Sequence, residues 1–348
     1  MSTETTIRWG IVGCGDVAEH KSGPPLYRTP GSELIAVARR DAAKAADFAA
    51  RHGAKRWYTD ADALIDDPEI NAVYIASPHY LHREHATRVA QAHKIVLCEK
   101  PMGTNAADAQ AIVDACRANG VSLTVAYYRR FWPITRVMKR LLSERAIGNL
   151  IQARVQLSDY FVPDPTRPWL TSREKSGGGA LANAGSHWVD LIRYLLGEIA
   201  EVNACCAHIG NWETEDTVIA QLQTTKGVPV QLNITLQSPV NINEFDIIGT
   251  EGRIVGGPFS DGLWTVYRRD KQPETVQFPH SGPAHSEMIT ELVPLLLAGH
   301  PSPIPGEEAV AAWRIMEAIY RSCERGERVA VATGNPDNEF ERTLTHHA

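Results

Sequence analysis

Apolar residues in the first third of the chain come in short unbroken runs, each closed by glycine or a polar residue and followed by a stretch with helical spacing. The runs Arg8–Gly13, Leu34–Ala38, Ala72–Ala76, Ile95–Cys98 and Ser122–Ala126 read as buried strands. The alanine-rich stretch from Asp41 to His52 reads as a helix with Asp41 as its N-cap, and His82–Ala92 and Ala106–Asn119 read as two more. Strand and helix in strict alternation predict right-handed βαβ units and a doubly wound parallel sheet.

The grammar changes after about residue 128. A helix over Thr135–Arg145 precedes a β-rich stretch, Leu150–Asp159, a Pro-rich extended loop, Val162–Pro168, and a glycine-led helix, Gly177–Leu196. Alternating patterns then follow one another without helices: Ile199–His208, Thr217–Thr225, Pro229–Gln237, Glu244–Gly249 and Leu263–Arg268. Such a run predicts a large, mostly antiparallel open sheet covered by helices on one face. Helices Ser286–Ala298 and Gly306–Arg325 and a short strand Arg328–Val331 close the chain. The pattern divides into an α/β dinucleotide-type domain, residues 1–128, and a second α/β domain, residues 129–348. At roughly 100–200 residues per domain, 348 residues accommodate two.

Composition narrows the partners. With 43% hydrophobic and 22% charged residues the chain is an ordinary globular sequence rather than a disordered or fibrous one. Lys and Arg (35) are scattered and outnumbered by Asp and Glu (41), so neither nucleic acid nor a membrane surface is the expected partner. A small molecule is. The opening residues carry no basic and apolar leader, which points to a cytoplasmic protein. Six cysteines without a CxxC pair read as reduced, buried thiols, with no metal site expected. The tail histidines His346 and His347 read as solvated.

Gly13-Cys-Gly-Asp-Val-Ala18 fits G-x-G-x-x-G/A between a predicted strand and a helix. Gly13 permits the tight turn, Gly15 lets backbone approach a pyrophosphate, and Ala18 keeps helix and strand close, with Asp16 and Val17 between them counted among the cofactor-binding residues. At the end of the next strand an NAD site places a carboxylate for the ribose hydroxyls, and here stand Arg39 and Arg40. Two guanidiniums suit a ribose phosphate, so NADP(H) is the preferred cofactor; if the arginines are only a solvated strand end, Asp41 would serve NAD(H).

Glu99-Lys100-Pro101 follows the strand Ile95–Cys98, at the carboxyl edge where open α/β sheets bind ligands. A lysine partly desolvated there can exchange its proton near neutrality.

Three stretches in this order, Gly10–Ala18, Glu99–Pro101 and Gly177–Asp190, resemble the glucose-fructose oxidoreductase/inositol dehydrogenase/MocA family of nicotinamide-dependent oxidoreductases. Ser77–His82, Tyr128–Phe131, Ile247–Gly252 and Glu317–Ser322 extend the resemblance over nearly the whole chain. It implies a Rossmann domain, a second domain whose open sheet often forms a homodimer or homotetramer interface, and hydride transfer at a hydroxyl or keto carbon of a sugar, cyclitol or similar polyol. It makes Lys100 the catalytic lysine, with Glu99 and Pro101 shaping the cofactor pocket and Ser77, Pro78 and His82 lying along the cofactor. His187 matches the histidine of G-x-H-x-x-D, which polarises or protonates the reacting oxygen.

Where the family usually has aspartate four residues before that histidine, this chain has Asn183. Asparagine can still hydrogen-bond a substrate hydroxyl, but the lost anion should lower the pKa of Lys100. Tyr127 and Tyr128 are candidate proton donors and Arg129 a candidate holder of a polar substrate, or all three pack at the domain boundary. Asp190 either orients His187 or binds substrate. Trp169 either walls the substrate pocket or covers a core edge. His79, His85 and His93 read as surface or packing residues. The resemblance also admits a glycoside hydrolase that oxidises its substrate transiently with NAD, and a non-catalytic sensor; the retained Lys100 and His187 weigh against the sensor.

Overall fold

The computed structural model describes residues 5–280 and 282–332. The tail histidines lie outside them. Six strands, β1 (Ile7–Val12), β2 (Ser32–Ala38), β3 (Arg56–Tyr58), β4 (Ala72–Ile75), β5 (Ile95–Cys98) and β6 (Leu123–Val125), form one sheet in the order β3-β2-β1-β4-β5-β6. Every pair in it is parallel. Helices cover it: α1 (Gly23–Arg28), α2 (Ala42–His52), α3 (Ala61–Ile65), α4 (His82–Gln91) and α5 (Ala106–Ala118). The central strands are accordingly apolar on both faces, with Trp9, Ile11, Val73, Tyr74, Val96 and Leu97 fully buried. Asp41 caps α2 by accepting from the Lys44 amide at 3.1 Å. The strand order reverses between β1 and β4, and the crevice beyond that switch point is where such sheets take their ligands.

Helix α6 (Pro133–Ser143) leads into a nine-stranded sheet: β7 (Leu150–Tyr160), β8 (Ile199–Ala207), β9 (Thr217–Thr224), β10 (Pro229–Thr235), β11 (Gln237–Gly249), β12 (Gly252–Gly256), β13 (Leu263–Arg268), β14 (Glu274–Gln277) and β15 (Val329–Ala330). Their order is β14-β13-β12-β11-β7-β10-β9-β8-β15, antiparallel except for the parallel pair β7/β10. Helices α8 (Ser186–Leu196) and α10 (Gly306–Arg325) pack on one face, preceded by the single turn α7 (Arg173–Ser176) and by α9 (Ser286–Leu297). On β9, Val218, Ala220 and Leu222 are buried toward the helices while Gln221 and Gln223 remain exposed.

Three expectations change. The glycine-led helix is broken: Gly177 and Gly178 hold φ of +81° and +154°, and a π-helical turn, Leu181–Gly185, precedes α8. These glycines are packing points, since a Cβ on Gly178 would sit 1.9 Å from Tyr320 Oη and one on Gly179 1.8 Å from the Glu215 carbonyl oxygen. Strand β11 starts at Gln237 rather than Glu244, because its first half is solvated and bulged and lacks apolar alternation. Not all cysteines are reduced and buried: Cys206 on β8 is bonded to Cys323 on α10 across 117 residues, and Cys205 is exposed. Strand alternation turns Cys206 toward the covering helix and Cys205 to the open face, and helix-on-sheet packing brings the paired Cα atoms to 5.6 Å. Cys14, Cys98 and Cys116 are buried free thiols as expected. Among the described residues no helix is long and apolar enough to cross a membrane, and no group of three or more His, Cys, Asp or Glu could hold a metal ion.

Candidate active site

Gly13 takes φ +92°, and a Cβ there would lie 2.6 Å from the Ser77 amide nitrogen, so only glycine lets the β1 and β4 loops meet. Beside this turn opens a cleft of about 720 Å³ lined by Gly13, Gly15, Asp16, Val17, Arg39, Arg40, Ser77, Pro78 and Trp169. Eight of the residues assigned to the cofactor from sequence thus share one surface. The lining fits a dinucleotide, for a Cβ on Gly15 would meet nothing nearer than the Gly13 carbonyl oxygen at 4.0 Å, leaving that backbone open to a phosphate. Arg39 donates from Nη1 to the Cys14 carbonyl at 3.0 Å, and Lys44 joins Arg39 and Arg40 on the wall. Asp41 does not line the cleft; its carboxylate is held low by the Lys44 amide it caps. Asp60 does line it, while accepting from the Asp62 and Ala63 amides at the start of α3.

Three histidines pack among the loops at the edge of the cleft. His82 is buried and spans the Ser77 and Pro101 carbonyl oxygens at 2.8 and 2.9 Å, so it ties the two loops together from beneath. His79, read as surface or packing, is buried against the Ser176 carbonyl and edge-on to Trp169. His85 bonds Ser77 Oγ at 2.9 Å and lines the cleft. Trp169 therefore lines this cleft rather than covering a core edge elsewhere.

Glu99 and Lys100 leave β5 with opposite fates. The buried Glu99 carboxylate accepts from Tyr74 Oη at 2.6 Å, His285 Nε2 at 2.8 Å and the Lys100 amide at 3.1 Å. Burial alone would raise its pKa, but His285 and Tyr74 outweigh that and hold it at about 2. Lys100 donates from Nζ to the Asn183 backbone carbonyl at 2.7 Å. Its pKa falls to about 7: burial is the main cause, Glu99 opposes it, and Lys21 and Arg129 reinforce it. The link between Asn183 and Lys100 thus runs through the backbone rather than the asparagine side chain.

His187 lies at the start of α8, 5% exposed, edge-on to Tyr128 with ring centres 4.9 Å apart. Burial first, then Lys100 and Arg129, push its pKa well below 6.5, so it is neutral at physiological pH. Among the described residues its Nδ1, Tyr127 Oη and two nitrogens of Arg129 are buried without a hydrogen-bond partner. Native interiors rarely leave such atoms unpaired, and here those of His187 and Arg129 belong to residues that act electrostatically with Lys100.

Asp190 neither orients His187 nor faces the cleft. It is 1% exposed and grips Arg130, which also meets Glu308; Glu308 in turn pairs with Arg193. Burial raises the Asp190 pKa to about 6 despite Arg130. This network anchors the loop carrying Tyr128 and Arg129 to α8 and α10. Sequence reasoning missed Arg130, His285, Tyr74 and Lys21: each acts across a long sequence separation, and none stands in a motif that marks its partner.

The N-terminal sheet matches a family model described as an oxidoreductase family with an NAD-binding Rossmann fold over residues 7–127, and residues 135–255 match the GFO/IDH/MocA C-terminal domain. The chain belongs to the Gfo/Idh/MocA oxidoreductase family. It is similar to Oxidoreductase P35 of Formosa agariphila, 35% identical over 91% of this chain and 99% of that one. It is also similar to 1,5-anhydro-D-fructose reductase of Ensifer adhaerens, 28% identical over 94% and 99%. A solved structure of levoglucosan dehydrogenase in complex with NADH and levoglucosan shares the fold, with a TM-score of 0.86, 24% identity and coverage of 94% and 100%. As a Gfo/Idh/MocA oxidoreductase the protein is a nicotinamide-dependent dehydrogenase or reductase.

Proposed function

We propose that this oxidoreductase prefers NADP(H) and moves a hydride between the nicotinamide and a hydroxyl or keto carbon of a sugar-like polyol. The observation that carries the reading is the meeting of Lys100, its ammonium brought near neutrality, with the buried neutral imidazole of His187 and its unpartnered Nδ1. The cofactor, when bound, supplies the hydride acceptor or donor. Lys100 Nζ, half neutral near pH 7, takes the hydroxyl proton in oxidation and returns it in reduction. His187 holds the reacting oxygen, and Tyr128 fixes the imidazole plane. Asn183 offers a substrate hydroxyl both a donor and an acceptor.

The NADP(H) preference rests on Arg39, Arg40 and Lys44 lining the cleft while Asp41 and Asp60 cap helices. The sugar-like substrate is supported by the relatives named for anhydrofructose and levoglucosan. In this reading residues 1–128 hold the nucleotide and residues 129–348 supply most of the substrate wall. Self-association would use the uncovered sheet face around the exposed Ile151 and Ile219.

Titrating the protein with each nicotinamide nucleotide and then a panel of sugars, polyols and keto sugars, followed by the absorbance of reduced nicotinamide, tests the proposal. NADP⁺ should bind at least tenfold more tightly than NAD⁺, and Arg40→Ala should erase most of the difference. Equal affinity for both nucleotides in the unaltered protein refutes the coenzyme assignment, and no turnover with any panel member refutes the reaction.

A further inference from the structure

Arg129 and Arg130 are neighbours with unlike environments. Arg130 is saturated by two carboxylates, Asp190 and Glu308. Arg129 forms no ion pair or hydrogen bond through its side chain among the described residues, and its Nε and Nη1 are buried. Its guanidinium is instead set against two indoles, with its central carbon 5.6 Å from the Trp132 ring centre and 5.6 Å from that of Trp188. A cation–π contact of this kind attracts the group without satisfying its N–H donors.

The groups that act on His187 are cationic. Lys21, Lys100 and Arg129 all act on His187, and the nearby carboxylate of Glu99 is already shared by Tyr74 and His285. Position 183, which could have supplied an anion, is asparagine. A half-buried guanidinium with two enclosed, unpaired nitrogens and no carboxylate is completed by a ligand, and the ligand that does so is an anion.

We propose that Arg129 is the anchor for a carboxylate on the substrate, so that this enzyme acts on a sugar acid, a uronate or a related polyhydroxy acid, rather than on a neutral sugar. The planar fork of the guanidinium matches the two oxygens of a carboxylate. The anchored acid would then present a neighbouring hydroxyl to Lys100 and His187. This inference rests on the oxidoreductase reading for the chemistry, but not for the binding.

The test compares matched pairs, D-glucuronate with D-glucose and D-galacturonate with D-galactose, together with glucose 6-phosphate, on enzyme loaded with nicotinamide nucleotide. Both turnover and binding, through fluorescence of the bound reduced nicotinamide, are measured. The acid of each pair should be favoured at least tenfold in Kd or kcat/KM. Arg129→Met should bring the acid-to-neutral ratio to near one, and Arg129→Lys should restore part of it. An equal or greater preference for the neutral sugars, an unchanged ratio in Arg129→Met, or a sugar phosphate bound as well as the acids overturns the assignment. Acid-selective binding without turnover would sustain the anchor while sinking the oxidoreductase reading. Turnover of neutral sugars without acid preference would do the reverse.

Discussion

Replacing Asn183 with aspartate puts a carboxylate beside the lysine proposed to move the proton. Lys100 Nζ already lies 2.7 Å from the Asn183 carbonyl oxygen, so a charge on that side chain would stand within about 6 Å of the ammonium. At an effective dielectric constant of about 20, unit charges about 6 Å apart interact by about 2.8 kcal/mol, equivalent to about 2 pH units. Solvent reaching the cleft lowers the expected rise to between about 1 and 2 units. The sign follows from the base role: oxidation needs neutral Lys100, whose pKa is about 7 in the unaltered protein. Raising it removes neutral amine at pH 7, so kcat/KM for oxidation falls there by about 5-fold to about 50-fold and recovers toward pH 10. For reduction, which needs the ammonium, the falling limb moves up by the same amount. The assay is a pH–rate profile for Asn183→Asp beside the unaltered enzyme, with Lys100→Ala as the variant that should lose the limb. A limb that stays near 7 in Asn183→Asp, or that survives in Lys100→Ala, removes Lys100 from the role.

Two further outcomes test the fold that holds the site. Gly179→Ala drives a methyl into the Glu215 carbonyl oxygen 1.8 Å away, and since backbone must yield it should cost more than about 3 kcal/mol, seen as a fall of about 5–10 °C in melting temperature. A melting point within a degree of the parent would contradict the close packing under α8. Counting thiols on the denatured protein without reductant should give four, and Cys206→Ser should lower stability by about 4–5 kcal/mol because the bond closes a loop of 117 residues. Six reactive thiols in freshly prepared, unreduced protein would remove the bond.

Much of this molecule could be read along the chain because its determinants are local. The run Ile95–Cys98 is apolar at every position and becomes a central strand; Asp41 sits at the head of an alanine-rich stretch and caps it; Gly13 is glycine because the turn demands positive φ. Motif order singled out Lys100 and His187, which act on one another in the fold, and place at strand ends singled out Gly13 and Arg39, which share the cleft. The glycine run was misread as helix because helix and tight packing both tolerate small residues, and only Tyr320 and Glu215, brought in from other elements, decide which applies.

Sequence by itself determined the alternation of elements, hence a parallel sheet followed by a mostly antiparallel one, and the chemical types available at the strand ends. Tertiary structure decided what those side chains are. It set Lys100 near neutrality by burying it, spent Glu99 on His285 and Tyr74 and Asp190 on Arg130, and left Arg129 beside two indoles without a carboxylate. Burial and pairing depend on which distant groups arrive at the same place, and electrostatic energy in a low-dielectric interior varies with those distances far more than with residue type.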